Sequence, residues 1–164
     1  MKYRMRLYTS WLAALLAVSA HAQESTKTPS GAGGEKSVVF VCEHGAAQSV
    51  VAAAYFNKLA TERKLPYRAI ARGTSPQEDI SVSAAKGLRL DGLAPTEQKP
   101  TKLSSDEAAR ASRVVAFLEL PSEFNGTNVE EWKDVPQVGA GYEKARDMIL
   151  EHIGHLLDEL QPRK

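Results

Sequence analysis

Cys42, the single cysteine of the chain, closes the apolar run Val38-Val39-Phe40-Val41 and is followed by Glu43-His44-Gly45-Ala46-Ala47-Gln48-Ser49. A thiol placed there has the surroundings of a nucleophile set in a ring of backbone amides. Gly45, Ala46 and Ala47 are small enough for the amides of residues 43–48 to curl toward one hollow, and Gly45 can take a left-handed conformation at no steric cost. An Ala-rich helical pattern from Ser49 to Ala60 brings the positive end of a helix dipole to the same place. Such a hollow suits an oxyanion and also stabilises a thiolate, and Ser49 adds a hydroxyl at the helix start. The competing reading is a buried structural thiol, since cysteine is among the most buried residue types. The strand-end position and the small residues favour the functional reading.

The elements that hold this loop follow from the hydrophobic pattern. After the first strand and helix, Tyr67 to Arg72 reads as a second strand, closed by Gly73-Thr74-Ser75-Pro76. Ile80 to Leu90 is helical in pattern and breaks at Asp91-Gly92. Ser104-Ser105-Asp106-Glu107 resembles a helix start, leading into Ala108 to Ala111. Arg113 to Leu118 gives a third, nearly continuous apolar strand, and Glu130 to Val135 a short fourth. From Tyr142 to Leu160 the residues Tyr142, Ala145, Ile149, Ile153, Leu156, Leu157 and Leu160 share one helical face. Strands alternating with helices predict an α/β three-layer sandwich around a mostly parallel four-stranded sheet, with ligands at the carboxyl ends of the strands, where Cys42 stands.

The chain has 164 residues and a formal net charge of +1. Lys2, Arg4 and Arg6 precede an apolar stretch from Leu7 to Ala20 and a small-x-small pattern, Ala20-His21-Ala22, before Gln23. Residues 1–22 therefore read as a secretory signal peptide, and the apolar stretch falls short of the roughly 20 residues that span a bilayer. The implied location is periplasmic or secreted, with no stable membrane association after cleavage. Removing three positive charges leaves a mature chain of net charge −2. Nothing in that balance calls for a nucleic-acid partner. Residues 23–36 read as a flexible Ser/Thr/Gly/Pro-rich leader and residues 37–161 as one domain. One cysteine allows no intrachain disulfide, so Cys42 is free, buried or paired externally.

Cys42 through Ser49 resembles the signature of the low-molecular-weight protein tyrosine phosphatases and of the thioredoxin-coupled arsenate reductases that share their fold: a strand ending in Cys, five residues, Arg-Ser or Arg-Thr, then a helix. The likeness continues in Ala71-Arg72-Gly73-Thr74, in Gln98 to Ser104 and in Trp132 to Asp147. The resemblance implies that Cys42 attacks phosphorus, that Ser49 stabilises its thiolate and that the loop Glu43, His44, Gly45, Ala46, Ala47, Gln48 holds the oxyanion. No cofactor and no metal is implied.

Two positions depart from that pattern. Gln48 stands where the family has arginine, so a charged bidentate clamp becomes a neutral amide. The family's acid, an aspartate before proline, aligns most nearly with Gln137. Losing one preorganised donor costs about 10²–10³ in rate, and losing general acid catalysis about 10²–10⁴. Two residues are candidates to compensate. Arg72 supplies the missing charge if it faces the loop. Asp134 supplies the acid if its loop is shifted, its alternative being a surface or capping residue. The two further cysteines of the reductase relay are missing, Glu119-Leu120-Pro121-Ser122-Glu123 occupying that stretch, so a disulfide relay is excluded.

Of the remaining signals, His44 reads as a thiolate partner or a loop residue, and Glu43 is expected to face solvent. His152 and His155 read as a solvated helix face rather than a metal pair, and Asn125-Gly126-Thr127 as a glycosylation sequon or simply a turn. The reading favoured by the sequence is an exported binding protein for phosphate, arsenate or a phosphorylated small molecule or protein, with catalysis attenuated or lost. The alternatives are an active cysteine phosphatase, an arsenate-reductase-like enzyme and, more weakly, a redox sensor.

Overall fold

The computed structural model describes residues 35–124, 126 and 128–161. The segment read as a signal peptide, nearly all of the segment read as a leader, and Asn125 and Thr127 of the candidate sequon lie outside the described residues. Four strands, β1 (Lys36–Cys42), β2 (Tyr67–Gly73), β3 (Arg113–Ala116) and β4 (Val129–Glu131), form one sheet in the order β2-β1-β3-β4, with all three pairings parallel. Four helices accompany them: α1 (Gln48–Glu62), α2 (Val82–Leu90), α3 (Ser105–Arg110) and α4 (Tyr142–Leu160).

The two faces of β1 separate the core into two apolar clusters, as strand alternation requires. Val38, Phe40 and Cys42 pack with α1, α2 and α4, whereas Val39 and Val41 pack with Leu103, Ala108 of α3, and Val114 and Ala116 of β3. Covered on both faces, β1 and β3 can be continuously apolar. From Val50 to Phe56 every residue of α1 is buried, because this helix lies between the sheet and the helices α2 and α4; its alanines permit that close approach. The expected apolar face of α4 holds, with Ala145, Ile149, Ile153, Leu156 and Leu157 buried and Tyr142 and Leu160 partly so.

Boundaries move by a few residues. Helix α2 begins two residues later than its apolar pattern, at Val82, with Ser81 before it. Strand β3 ends at Ala116, and β4 ends at Glu131 because Trp132 to Val135 leave the sheet to form a loop over the end of α1. Helix α3 starts where its sequence signal lay, with a reciprocal capping box between Ser104 and Glu107.

A polar knot holds the three helices together on the α1 face. The Asp91 carboxylate, just after α2, accepts from the Tyr55 hydroxyl of α1 at 2.6 Å and the Tyr142 hydroxyl of α4 at 2.7 Å. These two bonds hold Asp91 below the usual carboxylate range, while burial and the same bond push Tyr55 up to about 12. The Tyr142 ring lies over Gly87, where a Cβ would come within 2.2 Å of it.

Candidate functional site

Strand β1 delivers Cys42, 4% exposed, to the carboxyl edge of the sheet, and the chain turns there through residues 43–47 into α1. Gly45 makes that turn possible with φ +62°. It also lies against β2: a Cβ on Gly45 would fall 2.7 Å from the amide nitrogen of Gly73, and one on Gly73 would fall 2.7 Å from that of Gly45. Two glycines thus let two backbones touch.

The contact turns the loop's carbonyls outward. The oxygens of Cys42, Glu43, His44 and Ala46 accept from the amides of Thr74, Ser75, Gln77 and Ser81, at 3.2, 2.8, 3.3 and 3.0 Å. In a planar trans peptide the N–H of the next residue points the opposite way. The amides of Glu43, His44, Gly45 and Ala47 therefore face inward, and no amide from 43 to 49 has a protein acceptor among the described residues. Backbone donors gathered on one hollow without a protein acceptor are chemically suited to an anion.

Inside the ring, Cys42 Sγ lies 3.1 Å from Ser49 Oγ, and Ser49 is fully buried. Above it opens a cleft of about 490 Å³, lined by Cys42, Glu43, His44, Ala46, Ala47 and Gln48 of the loop, Gln77 and Ser81 ahead of α2, and Gln137, Gly139 and Ala140 ahead of α4. Gln77, Ser81, Gly139 and Ala140 were not singled out from the sequence, whereas Gln137 was, as the position of the missing acid. The available signal was Gly73-Thr74-Ser75-Pro76, whose turn places residues 74–81 against the loop.

Both compensating residues are elsewhere. Arg72 pairs with Val41 in the sheet, and so projects on the α3 face, away from Cys42. Its guanidinium donates to Glu107 at 3.0 and 2.6 Å and lies 3.6 Å from Glu97, with only 14% of the side chain exposed. Glu107 is held below its usual range chiefly by that bond. A charge neutralised in this way does not serve the loop, and the expectation that Arg72 replaces the missing arginine is corrected. Asp134 likewise turns from the cleft and accepts from His152 Nε2 of α4 at 2.9 Å, the contact that chiefly lowers its pKa. It pins the loop to α4 and is not placed as an acid.

His152 is corrected with it, because its ring stacks on Trp132 at 4.7 Å and is no solvated face. No group of three or more metal-ligating side chains is gathered among the described residues.

Gln48 occupies the expected position but uses its amide differently. Its Nε2 donates to the backbone carbonyls of Val135 and Pro136 at 3.0 and 3.3 Å, so both of its N–H groups tie down the 132–137 loop and neither is offered to a ligand. In the oxyanion role that the resemblance implies for the 43–48 loop, Gln48 is left only its backbone amide as a free donor. His44 points Nδ1 at the Ser75 carbonyl, 3.2 Å away, which makes it a brace of the loop rather than a thiolate partner. Glu43 faces solvent as expected, its side chain 68% exposed. Among the described residues, no lysine or arginine lines the cleft.

Solved structures with this architecture include YfkJ from Bacillus subtilis, 19% identical, covering 80% of this chain and 98% of that one with a TM-score of 0.70. The low-molecular-weight protein tyrosine phosphatase from T. tengcongensis is 18% identical over 76% of this chain and 99% of its own, with a TM-score of 0.67. An arsenate reductase in a phosphate-binding state is 18% identical over 77% and 99%, with a TM-score of 0.64. No protein-family model and no curated protein sequence matches the chain. The fold is thus that of the low-molecular-weight phosphatases and arsenate reductases.

Proposed function

We propose that this chain, which has the fold of the low-molecular-weight phosphatases and arsenate reductases, is an exported oxyanion-binding protein with catalysis attenuated or lost. The observation that carries the reading is the ring of amides at residues 43–49, which have no acceptor among the described residues and of which those of Glu43, His44, Gly45 and Ala47 face inward, beneath a cleft that none of the described lysines or arginines lines. Amide donors alone suffice to bind a tetrahedral oxyanion. Transition-state charge in phosphoryl transfer calls for more, namely a cationic clamp on the equatorial oxygens and a proton for the leaving group. Gln48 and Gln137 stand where the family resemblance expects those two groups, and neither is ionisable. An arsenate reductase of the same fold, solved in a phosphate-binding state, supports phosphate as the ligand type. Export rests on the Lys/Arg, apolar and Ala-His-Ala pattern of residues 1–22.

Cys42 beside Ser49 favours the second reading, an active cysteine phosphatase, and one assay separates the two. Hydrolysis of a small aryl phosphate by the wild-type protein across pH 5–8 is expected to equal that of Cys42→Ser. Turnover well above that control would replace the binding reading with the enzymatic one.

A further inference from the structure

Gln48 is 4% exposed, and its amide orientation is fixed by what it touches. Two backbone carbonyls can only accept, so the atom bonded to both is nitrogen. That leaves Oε1. It has no hydrogen-bond donor among the described residues, yet it is not an enclosed unpaired atom, so it keeps open surface, and the residue lines the cleft above Cys42. The site therefore combines amide donors from the loop with one fixed acceptor on a buried residue, and among the described residues no lysine or arginine lines it.

A fully deprotonated tetrahedral dianion has only acceptors to offer, and one of its oxygens would face Gln48 Oε1 with no proton between them. An oxyanion that keeps one O–H satisfies both sides, accepting from the loop amides and donating to Oε1. We propose, on the premise that the cleft is an oxyanion site, that it selects a protonated oxyanion: the monoanion of phosphate, arsenate or a phosphate monoester in preference to an unprotonated dianion such as sulfate. The lack of a lysine or arginine among the described lining residues acts in the same direction, since a dianion gains most from a permanently cationic partner.

The test is calorimetric titration of the protein with inorganic phosphate and with sulfate, below and above the second ionisation of phosphate. Glu43, His44 and Cys42 are the titratable groups on the cleft, and their protonation changes affinity for both anions; the ratio of the two dissociation constants isolates the proton on the ligand. Phosphate is expected to bind about tenfold or more tightly than sulfate at the lower pH. That preference is expected to shrink by about tenfold per pH unit above the second ionisation, as the competent fraction falls. In Gln48→Met, which has no acceptor of this kind, the ratio is expected to fall to within about threefold of unity.

Equal affinities in the wild type, or a sulfate preference, would overturn proton selection and leave the oxyanion site standing. A full preference retained in Gln48→Met would overturn the role given to Oε1. Binding of neither anion would remove the premise as well.

Discussion

Replacing Gln48 by Arg and Gln137 by Asp together is expected to raise aryl phosphate hydrolysis at least about 10³-fold above wild type. The two positions lie on the same cleft as Cys42. A guanidinium at position 48 would supply the charged, bidentate donor that a neutral amide lacks, worth at least about 10²–10³. A carboxyl group at position 137 would supply the leaving-group proton, worth about 10²–10⁴. Residues acting as a unit do not contribute additively, which is why the expectation is set well below the product. Adding Cys42→Ser to the pair should return the rate to background. A double variant that folds, by its denaturation midpoint, and still shows no gain would mean that the loop is not a phosphatase site lacking two groups.

The second large effect is structural. Gly73→Ala puts a Cβ 2.7 Å from the Gly45 amide nitrogen, 2.8 Å from the His44 carbonyl carbon and 3.1 Å from the Glu43 oxygen, all of them backbone. Strand β2 cannot retreat freely, because Gly73 is bonded on its far side to the Thr101 carbonyl and the Leu103 amide, each at 2.9 Å. The loop must move instead, which breaks the carbonyl-out arrangement that aims its amides. The expected result is a loss of about 2–3 kcal/mol in urea denaturation, with phosphate affinity down at least about tenfold. Gly139→Ala is the control: its Cβ meets nothing within 4 Å, and its stability should change by less than about 0.5 kcal/mol. Equal behaviour of the two variants would contradict the close contact as the origin of the ring.

Both effects act on the loop that follows Cys42, and that loop lies in the segment that was easiest to read. A β-branched run ending at Cys42, three small residues and an Ala-rich helix are local signals, and they placed β1, the loop and α1 within two residues of where they stand. The roles of Arg72, Asp134 and Gln48 are of another kind. Arg72 faces α3 because of its register with Val41, a pairing between segments some 30 residues apart in sequence that strand alternation alone leaves open. Asp134 is taken by His152, on a helix 18 residues on, and Gln48 by carbonyls 87 and 88 residues away. Each side chain had two chemically reasonable directions, and in each case a distant partner decided between them. The same long-range contacts turn a resemblance to a catalytic loop into an amide-lined cleft that none of the described lysines or arginines lines, its closing loop tied down from two sides.

The ring of inward amides is the claim on which the rest depends, and a backbone amide NMR titration with inorganic phosphate reads it directly. Saturable shifts are expected to concentrate at the amides of residues 43–49, with those of α3 and of the far end of α4 unmoved. Shifts absent from residues 43–49, or spread evenly over the surface, would contradict it.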